Sequence, residues 1–425
     1  MSNSIKKLLD RSDNFLRRML GKPAWDFNRF VTDPRKPQGQ RWPFKTLMRS
    51  LLFGFLTLRG SLRGVESLTE TAFDERVPDS TLYDFVSKFG SAEVAQLRAQ
   101  LHAQVRTDWR SKSLEPVGLP CGVAAVDNKT VWTGAVAAAH DPEAQIVHPK
   151  TGPPYAQLRV VRSVLISAAA KPVIDQVVIR HDTNEGGTFP EVFVVLETNY
   201  GGLIRVYSMD AGFCSKANGD LVAGADKVYI FGLKGNQPEL FKEAQRLLGS
   251  LTTPAVSTDW ESYQGDRIRS HLYRTSEMAG YHGWSHLRQV WRIEKEIIKG
   301  QTGEVERENR YFVTNLPAEE FRPPQILYVV RSHWGIENNC NWTMDVIWDE
   351  DSKTWCGQGL GIRALGLLRA MAYNLISLLR CRYLRNRDRR RAEKESWRDW
   401  GDRLFLLITR EGARLLAPNP VITGN

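Results

Sequence analysis

The chain has 425 residues, 42% of them apolar and 25% charged, which excludes a disordered chain and implies two or three domains with a sizeable core. Its five cysteines (Cys121, Cys214, Cys340, Cys356, Cys381) are odd in number and never form a CxxC pair, which excludes a disulfide framework and a structural zinc site. The net charge of +10 is unevenly spread: residues 1–110 carry 19 Lys/Arg against 12 Asp/Glu, residues 352–425 carry 15 against 6, and residues 111–351 carry 24 against 30. Basic flanks can grip phosphate backbones through counterion release while an acidic centre holds divalent cations; a solvated surface is the bland alternative. The most membrane-like run, SLLFGFLTL (50–58), has nine residues between Arg49 and Arg59, far short of the roughly 20 a spanning helix needs. With no segment resembling a signal peptide, a cytoplasmic protein is expected.

In chain order, residues 1–110 read as helical. PFKTLMRSLLFGFLTLRG spaces its apolar residues for a buried helix that stops at Gly60, and RGVESLTETAF continues in the same vein. VPDSTLYDFVSKFG and the residues up to Arg110 start at a boundary where Asp79 or Ser80 can cap, then run through one or two amphipathic helices. Short helices in a basic segment suit a DNA-binding domain over 1–115, or a helical oligomerisation domain.

From about residue 118 the texture changes. CGVAAVDNKT is a short apolar run ending in an acid; LRVVRSVLISAAA and KPVIDQVVIR follow as strands, and TFPEVFVVLETNY as a helix ended by Gly201 and Gly202. LIRVYSMDAGF is another buried strand that closes on an acid, and GADKVYIFGLKGN a further one. The alternation predicts an α/β fold, a mixed sheet flanked by helices. LYRTSEM, HLRQVWRIEKEII and NRYFVTNL, joined by turns such as KGQTGE, predict a β-rich insertion domain over 251–324. Helical periodicity returns at Pro324, completing a catalytic domain of 116–250 plus 325–380, and 381–425 forms a basic tail.

Three acids stand in comparable settings: Asp127 ends the first strand, Asp210 ends the fourth, and Glu337 lies one turn into the late helix. Open α/β sheets place sites at the carboxyl ends of strands. Three converging carboxylates with no opposing Lys or Arg repel one another unless a cation is bound, and such hard oxygens select Mg²⁺ or Mn²⁺. Taken singly, each acid could as well cap a turn.

HWGIEN (333–338), NWTMDVIWDED (341–351) and LLRAMAYNLI (367–376) together resemble the end of the catalytic domain in DDE transposases of bacterial insertion sequences. The group is the one that includes the H-repeat-associated proteins. Earlier pieces fit in the same order: RVPDSTLYDFV, AVDNKT, YSMDAGFCSK and GADKVYIFGLKGNQPEL. The resemblance spans about residues 40–380. It implies a ribonuclease-H-like core in which Asp127, Asp210 and Glu337 form the catalytic, metal-binding triad, with two Mg²⁺ or Mn²⁺ ions. It also implies binding of terminal inverted repeats, cleavage of 3′ ends, their joining to target DNA, a homodimer on double-stranded DNA, and a nucleoid-associated location without membrane. A ribonuclease-H-like nuclease or resolvase without strand transfer, and a domesticated, catalytically dead DNA-binding protein, remain alternatives.

The chain departs from the family pattern in places. Asn128 stands where Gly is usual after the first acid, and the signature Tyr, Arg and Lys positions around Glu337 hold Val330, His333 and Met344. Loss of that Lys leaves the terminal phosphate to Arg331 or Lys353. Helical spacing puts Glu337, Asn341, Met344, Asp345 and Trp348 on one face, with Asp345 as a fourth carboxylate or support. His333 is expected to touch the scissile phosphate, to orient the third acid, or to be a core histidine. Lys129, Lys234, Asn236, Arg331, Arg385, Arg389, Arg390 and Arg391 are further candidate DNA contacts. Trp284 and Trp291 are candidates for stacking on an unpaired base, whereas Trp334, Trp342 and Trp348 are expected to anchor the core.

Overall fold

Apolar residues at helical spacing organise the first 110 positions. In the computed structural model, which describes residues 3–352, 354–384 and 395–416, they become α1 (Asn3–Leu20), α2 (Phe27–Phe30), α3 (Phe44–Leu56), α4 (Leu62–Phe73), α5 (Asp79–Ser87) and α6 (Ser91–Arg110). Every residue of α3 from Leu47 to Leu56 is buried, so this helix is enclosed on all sides rather than amphipathic. Ser61 caps α4 by accepting from the Gly64 N–H, and α4 stops where Asp74 turns left-handed at φ 56°.

The sheet follows: β1 (Gly122–Ala135), β2 (Gln145–Val147), β3 (Tyr155–Leu165), β4 (Val173–Val178), α7 (Glu185–Tyr200), β5 (Ile204–Met209), α8 (Lys216–Gly224), β6 (Val228–Leu233) and α9 (Pro238–Gly249). β3 runs antiparallel to both β1 and β4, while β5 is parallel to β1 and β6 parallel to β5. The order β4-β3-β1-β5-β6, with helices crossing between the parallel strands, is a ribonuclease-H-like sheet. β6 is buried along its whole length, as expected of a strand with both faces covered.

The segment expected as an insertion domain is β-rich, and it continues the central sheet. β7 (Val256–Ser257), β8 (Glu261–Tyr263), β9 (Asp266–Thr275), β10 (Gln289–Ile298) and β11 (Val305–Thr314) follow α9. β11 pairs antiparallel with β6, from Tyr311 opposite Leu233 to Thr314 opposite Ile230, and β10, β9 and β7 extend the same sheet to eleven strands.

The chain then returns as α10 (Pro323–Gly335), a π-helical turn (Ile336–Asn341), α11 (Trp342–Trp348), α12 (Gly361–Leu384) and α13 (Trp397–Leu416). α12 packs on α3, α6 and β4, tying the N-terminal helices to the sheet. Its stretch Gly361–Cys381 is long and apolar enough to cross a membrane, so the most membrane-like run lies here and not, as expected, at residues 50–58. That stretch is 94% buried within the protein, so it is the core helix.

Candidate active site

The last parallel pair between β1 and β5 is Val126 with Met209; the next residues are Asp127 and Asp210. Beyond that point β1 does not end, contrary to expectation, but runs on to Ala135 against β3 alone. β5 does end, and the chain turns through Ala211–Phe213. The two strands part at the two acids, which is where open sheets make room for a site. Asp127 is 6% exposed, and Asp210 keeps about half its side-chain surface.

Glu337 lies in the π-turn, exposed. That turn breaks the continuous α-helix expected over 334–348, and such turns recur at functional sites. The expected single face is accordingly split: Met344 and Trp348 are buried in the core, with the Trp348 Nε1–H donating to the Phe55 carbonyl (2.9 Å), while Glu337 is exposed.

The Asp127 carboxyl is pushed up to about 7, first by burial and then by the charge of Glu337, with a smaller push from Asp210; the Asn128 N–H and Arg162 work against it. Asp127 therefore senses both of the other acids. The three are not gathered into one coordination sphere: among the described residues no group of three His, Cys, Asp or Glu side chains is placed to hold an ion. Cations also stand nearer than the sequence suggested. Arg162 is the cross-strand partner of Asp127, and the Lys234 ammonium lies 4.0 Å from Asp210 Oδ1. On β6, Gly232 faces Asp210. A Cβ at that position would sit 3.3 Å from Asp210 Oδ1 and 3.0 Å from the Ala211 nitrogen.

The other candidates divide. Lys129 is ion-paired with Asp345 of α11, and burial raises the Asp345 carboxyl even though Lys129 opposes it. Lys234 is largely exposed at the mouth. Asn236 spends its amide on the Ala211 and Cys214 carbonyls (2.8 and 3.3 Å), holding the turn after Asp210. Arg331 is bound by both oxygens of Glu261. His333 is buried and pushed down to about 4 by burial, against the pull of Asp210 and the Ser208 backbone, so it is neutral at neutral pH.

Trp284 and Trp291 do not offer faces for stacking. They are 2% and 0% exposed: Trp284 packs edge-on to Tyr229 and Phe231, and the Trp291 Nε1–H donates to Gln289 Oε1 (3.2 Å). Strand pairing of β10 with β9 and β11 encloses Trp291, and β6 covers Trp284, which lies in the turn before β10. Conversely Trp342, expected in the core, is 53% exposed, and Trp334 is half-buried beneath the Arg310 guanidinium. Lys353, Arg385, Arg389, Arg390 and Arg391 lie outside the described residues.

Sequence reasoning missed what stands behind Asp127. Arg162 is fully buried and donates to Glu350, Gln176 and Asn341, and Arg369 donates to the same Glu350. The signal was Arg162 between the apolar pairs of the buried strand stretch VVRSVL (160–165), a residue almost never buried without partners.

The family model of the transposase DDE domain matches residues 148–375. Two proteins of Escherichia coli strain K12, YbfL and the H repeat-associated protein YhhI, are each 27% identical to the chain over 191 residues, 42% of this chain and 48% of theirs. The match thus spans about half the length of these relatives. A cryo-EM structure of the piggyBac transposase synaptic complex with hairpin DNA superimposes over 97% of this chain and 87% of that one, with 11% identity and a TM-score of 0.43.

Proposed function

The chain belongs to the transposase DDE domain family, and from that premise we propose that it cuts and joins phosphodiester bonds in DNA, with Asp127, Asp210 and Glu337 holding divalent cations. The observation that carries this reading is that two acids remote in sequence, Glu337 and Asp210, act electrostatically on the Asp127 carboxyl at the end of the β1–β5 parallel pair.

The donor set suits Mg²⁺ or Mn²⁺, since carboxylate oxygens are hard ligands. Gly232 leaves the Asp210 carboxylate uncrowded, and a buried acid raised by its neighbours gains most from added positive charge. Because no three His, Cys, Asp or Glu side chains among the described residues are placed to hold an ion, binding has to draw the carboxylates together. One or two bound ions would supply the positive charge that acidifies water and stabilises the leaving oxygen in an in-line displacement.

The protein's own groups do the rest. Asp127 is held by the Asn128 N–H at 2.8 Å. His333, buried and neutral, lies within electrostatic reach of Asp210 without competing as a cation. Lys234 at the mouth is the cation set to meet a phosphate, and Arg331 can exchange Glu261 for another. The same carboxylates serve both water at a 3′ end and, afterwards, the freed 3′ hydroxyl at target DNA, because both steps are displacements at phosphorus. The basic helical segment 1–115 grips terminal inverted repeats, and holding two ends calls for a homodimer on double-stranded DNA.

The test is Mg²⁺-dependent cleavage of duplex DNA carrying the inverted repeats that flank the coding sequence. Wild type should cut at the repeat ends and Asp210→Ala should not; equal behaviour of the two removes the reading. A pre-cleaved end that is never joined to target would reduce the activity to that of a nuclease.

A further inference from the structure

Arg162 has no exposed surface. Its Nη2 donates to both oxygens of Glu350 (2.8 and 2.9 Å) and to Gln176 Oε1 (2.8 Å), and its Nη1 donates to Asn341 Oδ1 (2.9 Å). A guanidinium carries donors only, so the oxygen of the Asn341 amide must face it. This settles the choice of amide orientation that is ordinarily ambiguous. The amide nitrogen then points the other way, where Asp127 Oδ2 lies 3.4 Å off, at the long end of a hydrogen bond. Asp127 Oδ1 accepts from the Asn128 N–H at 2.8 Å.

Each oxygen of Asp127 thus has one fixed donor, and an ionised carboxylate has about four acceptor positions. The rest are left for something else. Asn341 closes the π-turn that carries Glu337 and is 6% exposed, so its amide is a built part of the floor beneath the acids.

We propose that Asn341 is a positioning residue: oriented by Arg162, it holds the Asp127 carboxylate in the attitude in which that group ligates a divalent cation. This rests on the cation-dependent reading above. Partners that orient a ligating side chain typically change metal affinity by about 10–100-fold when removed.

The experiment is Mn²⁺ binding to the full chain without DNA, by titration calorimetry and by the Mn²⁺-induced rise in melting temperature, which stays readable in a weakened protein. Four proteins are compared: wild type, Asp127→Ala, Asn341→Ala and Asn374→Ala. Asn374 is a matched control, a buried asparagine whose side chain bonds the Val173 N–H and carbonyl (both 2.7 Å). Asn341→Ala should weaken Mn²⁺ by about 10–100-fold, while Asn374→Ala loses stability and keeps its affinity. Wild-type affinity in Asn341→Ala, with binding lost in Asp127→Ala, overturns the role of Asn341 and leaves the cation reading standing. Mn²⁺ binding that is absent in wild type, or unchanged in Asp127→Ala, removes both.

Discussion

Arg162 and Glu350 form a salt bridge, 2.8 Å long, in which neither side chain keeps any exposed surface. Arg369 donates to the same carboxylate at 3.1 Å, so one buried acid serves two buried guanidiniums. Burial works to raise the Glu350 carboxyl, yet Arg162 and Arg369 win and hold it below the usual carboxylate range. Breaking a buried pair from one side strands the other charge, at a cost of about 3–5 kcal/mol. Glu350→Gln should lose that much in urea unfolding at neutral pH. A loss under about 1 kcal/mol, the scale of an exposed pair, would mean that water reaches the network.

Asp127 makes the metal-free protein sensitive to pH. Its carboxyl is moved from 3.8 up to about 7, by burial foremost. Between those values the folded chain holds a proton that the unfolded chain has released. The contribution of Asp127 to stability is therefore fully present below pH 4, falls as pH rises, and is gone above pH 7. Asp127→Asn has no such proton to lose. In EDTA it should match wild type near pH 4 and exceed it at pH 8 by about 4 kcal/mol. Melting curves across that range check this, and a wild-type profile as flat as the variant's would show a carboxyl that titrates normally.

The strands that carry Asp127 and Asp210 were legible because each is an apolar run that reaches an acid, and the parallel register then brings those acids to the same end of the β1–β5 pair, although β1 runs on past Asp127 against β3. The π-turn at Glu337 was not. HWGIENNCNW fits α-helical spacing, and one extra residue in a turn leaves no mark on polarity. The eleven-stranded sheet was hidden for a related reason. Alternation in 251–324 signals strands, but which strand they pair with is a long-range choice, made when β11 docks on β6. The same sheet decided the fate of Trp291 on β10, since the side of a strand that becomes core depends on what covers it.

Trp291 and Trp342 should respond in opposite ways to truncation. Trp291 is wholly enclosed and Trp342 is 53% exposed. Trp291→Ala opens a cavity that costs about 3–5 kcal/mol, so any loss of DNA binding in that variant follows unfolding and is restored by conditions that refold it. Trp342→Ala should change stability by no more than about 0.5 kcal/mol, as surface substitutions do. Chemical denaturation of both settles the assignment, and similar losses would contradict it.

Gly232 is the residue of β6 that follows Phe231, the partner of Met209, so it stands beside Asp210. β-propensity alone favours a branched side chain in this strand. The geometry opposes it, because a Cβ would come within 3.3 Å of the Asp210 carboxylate and 3.0 Å of the Ala211 nitrogen. Backbone cannot swing away as a side-chain end can, so Val at 232 must displace the turn that aims Asp210. Gly232→Val should keep the sheet, as judged by circular dichroism, and lose Mn²⁺ affinity by about tenfold or more, with Gly232→Ala between. Wild-type Mn²⁺ affinity in the Val variant would mean that Asp210 is not held where the ion binds.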